Sequence, residues 1–129
     1  MAVSYILVDS IIVIVLTGVI HDRELLDAQQ ELFDDPSFVG DYPRLVDATH
    51  VSQMLLSARV VRHVAKSAYD RGMRKAALVG NTKLVYGLMR MYAEYAGDAR
   101  VEVFHDREAA IEWLRDDVTD LYSDRRSKA

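Results

Sequence analysis

From residue 43 onward, short apolar runs alternate with amphipathic stretches, and polar links of a few residues join them. That alternation constrains the fold more than any other feature. Strands and helices in turn call for a mostly parallel sheet with right-handed crossovers. The first run, Pro43-Arg44-Leu45-Val46, reads as a strand at 44–48 and ends in a polar segment, Asp47-Ala48-Thr49-His50-Val51-Ser52, and a helical pattern opens at Ser57. Val60, Val61, Val64, Ala65 and Ala68 stripe one face of a helix over 58–71, and Gly72 supplies the left-handed residue that ends it. A continuous apolar strand at 75–79 leads through Gly80-Asn81-Thr82 into a helix over 83–95. Gly97-Asp98 stops that helix, 101–104 reads as the last strand, and Asp106 caps a final helix carrying Ala110, Trp113, Leu114, Val118 and Leu121.

The N-terminal third reads differently. Runs at 4–8 and 11–17 flank Asp9-Ser10, which predicts an antiparallel hairpin although Asp-Ser is not the preferred turn pair. The β-branched run at 11–20 is about half the length a bilayer span needs, and Asp9 and Asp22 flank it, so a strand is expected there. Asp22 is the expected N-cap of a helix over 23–33, which Asp34-Asp35-Pro36 ends. The predicted fold is therefore a single-domain α/β protein of order β-β-α-β-α-β-α-β-α. Its sheet is mixed and mostly parallel, its domain spans 1–122, and a polar tail follows at 123–129.

Bulk properties exclude several function classes. The chain has 129 residues, a formal net charge of −4 and no cysteine. Thiol catalysis, disulfides and cysteine-based zinc sites are ruled out, and the acidic balance argues against nucleic acid as partner. No metal site is expected, because the histidines are scattered, and no cofactor is called for. A cytoplasmic location fits this composition.

The candidate functional residues lie where strands hand over to helices, the place where open α/β sheets usually keep their function. Asp47, Thr49, His50 and Ser52 are expected to form a small polar corner, which could equally satisfy loose backbone groups. Ser57 is an N-cap by position and could also be modified or touch a ligand, since a helix N-terminus favours an anion. Asn81 and Thr82 open the third helix in the same way, with Thr82 as the expected cap. That helix is apolar around more than half its girth, through Leu84, Val85, Leu88, Met89, Met91, Tyr92 and Tyr95. Tyr86, Met89, Arg90 and Tyr92 are therefore candidates for an interface, and a homodimer is expected from that breadth.

The element order and the segment from Asp47 to Ala58 resemble a STAS domain, the sulfate transporter and anti-sigma-factor antagonist family, and more closely its SpoIIAA-like branch. The family motif runs Asp-Leu-Ser, then Asp-Ser-Ser-Gly at the start of the second helix. Asp47, Thr49 and Ser57 match it in kind, whereas Leu55, Leu56 and Ala58 stand where the motif has aspartate, serine and glycine. The resemblance implies that Ser57 occupies the position phosphorylated in anti-sigma antagonists. A second stretch, from Leu84 to Tyr92 and on through 101–104 and 110–114, is similar to SpoIIAA-like proteins that have been likened to lipid-binding domains of the CRAL-TRIO kind.

Two function classes follow. The first is a non-enzymatic regulatory or signalling module, of bacterial type, that binds a protein partner or small ligand at the turn between the third strand and second helix. The second is a carrier of an apolar ligand or lipid, which requires a cavity between the third helix and the sheet. A small α/β enzyme using His50 and Asp47 is a third reading, with no catalytic constellation visible to carry it.

Overall fold

The computed structural model describes residues 2–37 and 41–115. The end of the expected final helix, with Val118 and Leu121, and the tail at 123–129 lie outside the described residues. Five strands form one sheet in chain order: β1 (Val3–Val8), β2 (Ile11–His21), β3 (Arg44–Leu55), β4 (Lys75–Val79) and β5 (Arg100–Phe104). β1 and β2 pair antiparallel, and every later pairing is parallel, so the expected mixed sheet is present. The helices are α1 (Asp22–Asp34), α2 (Ala58–Asp70), α3 (Lys83–Glu94) and α4 (107–115).

A sheet that grows in one direction places its crossover helices on one face. Residues of α1, α2 and α3, including Ala28, Ala65, Ala68, Val85 and Met89, accordingly share a core with Leu16, Ile20 and Leu78 of that sheet face. α4 follows the last strand and packs on the opposite face, where Ala110 and Leu114 meet Val13, Leu45, Ala77 and Val79. The Lys75 ammonium donates to the carbonyls of Trp113 (3.2 Å) and Leu114 (3.0 Å) and so caps the described end of α4.

The hairpin turn has φ of 51° at Asp9 and 63° at Ser10, the pair of left-handed residues that a type I′ turn demands. Gly72, expected to end α2, has φ 109°. Gly80 is needed for another reason: a Cβ there would lie 2.7 Å from Val85 Cγ1, so α3 approaches the end of β4 only because the side chain is missing.

Two expectations need correction. Asp22 is not the N-cap of α1 but its first residue; His21 is the cap, and its N–H donates to Glu24 Oε1 at 3.0 Å. More consequentially, β3 does not end at residue 48. It continues to Leu55, paired with a β2 that itself runs past Thr17 to His21. β4 pairs with β3 only from Arg44 to Asp47, so beyond Asp47 the two long strands project as a ribbon. The hydroxyl-rich segment that reads as a turn is the outer side of this ribbon: His50, Ser52, Gln53 and Leu55 are exposed while Ala48 and Met54 are buried. Register shifts between Val15 and Thr17 and between Gly18 and Val19, with Gly18 at φ 70°, let the ribbon bend.

Candidate functional site

The geometry divides the predicted polar corner in two. At the C-terminal rim of the sheet, Asp47 is 2% exposed, and its Oδ1 accepts from the Thr49 amide (2.9 Å) and hydroxyl (2.6 Å). Its Oδ2 accepts from Arg107 Nη1 at 2.9 Å. Burial pushes the Asp47 carboxyl up, but the Thr49 donors and the Arg107 guanidinium outweigh it and hold the group below the usual carboxylate range. Asn81 Nδ2 donates to the Thr49 carbonyl at 3.1 Å, and Thr82 Oγ1 accepts from Val85 N–H at 3.2 Å as the cap of α3. Asp47, Thr49, Asn81 and Thr82 thus gather at one place, as expected. Arg107 belongs with them and was not foreseen; its place beside the cap residue Asp106 signals a helix start but nothing about a partner sixty residues upstream.

Ser57 is elsewhere. The ribbon from Asp47 to Leu55 carries it about 25 Å along the strand direction. There its Oγ accepts from Val60 N–H (3.2 Å) as the cap of α2, and its own N–H donates to Asp22 Oδ1 at 2.8 Å. His50 and Ser52 lie exposed between the two ends. With both Asp47 oxygens engaged by Thr49 and Arg107, the carboxylate is built into the rim as a structural acceptor.

The interface candidates on α3 also separate. Tyr86 is half-buried toward β5: its ring stacks on His105 with centroids 4.5 Å apart, its Oη donates to the Val103 carbonyl at 3.4 Å, and Arg90 lies 5.1 Å from the ring. Met89 and Tyr92 point the other way, into the interior. Leu84, at 62% exposed, is the apolar residue of α3 left most open to solvent.

Met89 and Tyr92 line a cleft of about 100 Å³ between the sheet and α1, α2 and α3. Most of its wall is aliphatic: Val3, Ile14, Leu16, Leu25, Leu32, Val46, Met54, Leu56, Val61, Val64, Leu78 and Leu88. Gln29, Arg44, Tyr5 and Tyr92 are its polar members. All four are engaged with neighbouring groups. Gln29 Nε2 donates to the Val64 carbonyl (2.9 Å), Tyr5 Oη to Asp35 (2.8 Å), and Tyr92 Oη to Met73 Sδ (3.5 Å). Arg44 is the unusual one, a guanidinium only 3% exposed at the start of a core strand. Burial weakens its hold on the proton, partly offset by the Tyr92 phenol beside it. Arginine nonetheless stays charged in proteins.

No group of three or more His, Asp or Glu side chains among the described residues is placed to hold a metal ion. No helix among them is long and apolar enough to cross a membrane.

Comparison with known proteins agrees with this architecture. The family model described as SpoIIAA-like matches residues 11–115. A crystal structure of an uncharacterized protein of the DUF3478 family with a SpoIIAA-like fold, from Shewanella loihica PV-4, superposes with a TM-score of 0.58 at 18% sequence identity. The match covers 88% of this chain and 92% of that one. No curated protein matches the chain. The family match runs from β2 to α4, taking in the helices that enclose the cleft, and the chain belongs to the SpoIIAA-like family.

Proposed function

We propose that this chain is a non-enzymatic binding module of the STAS type, and that its ligand is an apolar small molecule held between α1–α3 and the sheet. The cleft carries this reading. It is a concave site enclosed by three helices and one face of the sheet, and its wall is aliphatic with a few polar residues. The breadth of apolar surface on α3 has the same origin, since Leu88, Met89 and Tyr92 serve the cleft. The likeness of some SpoIIAA-like proteins to CRAL-TRIO domains points in this direction too. Native mass spectrometry of gently purified protein, followed by solvent extraction, is the test. A co-purified apolar molecule is expected, and a clean apo mass would count heavily against the cleft as a ligand site.

Regulation through a protein partner is the second reading, and the exposed Ser57 favours it. It caps α2 at the position that the family motif gives to a phosphorylated serine, and a phosphate there would meet the free amides and dipole of the helix. Partner capture by wild type, Ser57→Ala and Ser57→Asp decides it. Equal capture by all three removes Ser57 from the mechanism.

A further inference from the structure

We infer that the cleft takes a compact hydrocarbon with no polar head, about the size of a benzene ring, and that Tyr5, held by Asp35, is the wall that turns longer chains away. This rests on the cleft being a ligand site and adds the size and polarity of the occupant and the residue that selects it.

Size comes first. The cleft holds about 100 Å³. An apolar protein cavity of about 150 Å³ stays dry and takes benzene or xenon, so a benzene ring is near the upper limit here and an acyl tail does not fit. Polarity follows from the wall. The surface that the cleft presents is almost wholly apolar, and its polar members are committed to neighbours. Gln29 donates to the Val64 carbonyl and Tyr92 to Met73 Sδ, and Arg44 is held beside Tyr92. A hydroxyl or charged head entering this space would lose its water and find no partner, a cost that a bare hydrocarbon avoids.

Tyr5 supplies the boundary. Outside the cleft lies a surface groove of about 260 Å³, with Ile6, Leu7 and Ile12 in its wall. Tyr5 and Leu32 line both spaces, so they are the partition between them. Leu32 is anchored in the core by α1. Tyr5 is half-buried, and its Oη donates to Asp35 Oδ2 at 2.8 Å. Asp35 is itself held, since its Oδ1 accepts from the Ser37 amide at 2.8 Å. The hydrogen bond to Asp35 pushes the Tyr5 phenol up to about 12, so the hydroxyl keeps its proton and the contact persists at any ordinary pH. Without the ring, groove and cleft would join into one apolar space.

The test varies head and length separately. Benzene, phenol and n-butylbenzene are titrated by calorimetry into full-length protein stripped of any co-purified apolar molecule, and into Tyr5→Val, which keeps a residue suited to a strand. Wild type is expected to bind benzene, and to bind phenol and butylbenzene at least about tenfold more weakly. Tyr5→Val is expected to gain at least about tenfold in butylbenzene affinity while benzene binding is kept. Asp35→Ala, which frees the ring without altering the sheet, is expected to move butylbenzene in the same direction. Phenol binding as tightly as benzene overturns the assignment of a ligand with no polar head. Butylbenzene binding wild type as tightly as benzene overturns the size limit. Either result leaves the cleft standing as an apolar site. Butylbenzene rejected equally by wild type and both variants takes the boundary away from Tyr5. Failure of every probe to bind wild type overturns the cleft reading itself. The wild-type series and Asp35→Ala decide between these outcomes even if Tyr5→Val does not fold.

Discussion

Asp47 and Arg107 meet at 2.9 Å across sixty residues of chain, joining the end of β3 to the first turn of α4. The two sides of this pair are not equivalent. The Asp47 side chain is 2% exposed and Arg107 is 48% exposed, so Arg107 keeps much of its hydration while Asp47 depends on protein donors. Asp47→Ala strips the Thr49 amide and hydroxyl of their acceptor, and a donor left unsatisfied in a partly buried site costs about 1–3 kcal/mol. Arg107→Met removes a half-solvated ion pair and should cost at most about 1 kcal/mol. Urea denaturation of the two variants is expected to rank them in that order. The reverse order would mean that docking of α4, and not the local turn of β3, is what Asp47 secures.

The same carboxylate gives the protein an acid limit. Its pKa in the folded state lies below the unfolded value of about 3.9, so the folded state binds its proton less readily. The stability Asp47 contributes is therefore complete above pH of about 4 and is lost as pH falls through its lower folded value. Asp47→Asn cannot titrate. Its unfolding free energy, measured from pH 6 downward, should fall less steeply than that of wild type below pH of about 4. Parallel curves would show that other carboxylates set the acid limit.

The alternation of apolar runs and amphipathic stretches predicts the five strands, the helices between them and the caps of α2 and α3, because each of those features is local. Ser57 and Thr82 cap their helices as their positions imply, and Gly72 takes the left-handed conformation expected of it. The ribbon was not legible for a physical reason. Whether a polar stretch such as Thr49–Ser52 turns or stays extended depends on a partner strand of equal length. That partner was hidden by Thr17-Gly18, which reads as a strand end and is in fact a bulge. The cleft was half legible. The breadth of apolar surface on α3 marks the helix, but no periodicity distinguishes an interface from an internal wall. Arg44 carries a signal only in hindsight, as a charge opening a strand whose neighbours Leu45 and Val46 face opposite sides of the sheet.

The hairpin turn has room for improvement. Ser10 is exposed and sits at φ 63°, a conformation that costs a non-glycine residue roughly 1–2 kcal/mol. Ser10→Gly removes that strain while making the unfolded chain more flexible, which gives back part of the gain. A net stabilisation of about 0.5–1 kcal/mol is expected, visible as a rise of a few degrees in Tm. An unchanged or lowered Tm would show that the hairpin register tolerates Asp9-Ser10 without strain.

Arg44 raises the question of what a buried charge does for stability. Its surroundings as a whole disfavour the charged form, with burial the dominant cause and Tyr92 only partly compensating. Deleting one member of a buried polar contact leaves the other unsatisfied, at a cost of about 1–3 kcal/mol. Arg44→Met keeps the length of the side chain but strips the Tyr92 phenol of its charged neighbour. A loss of about 1–3 kcal/mol with an unchanged slope is expected in urea denaturation. An unfolding midpoint equal to or above that of wild type would show that the guanidinium contributes nothing to holding β3 against α3.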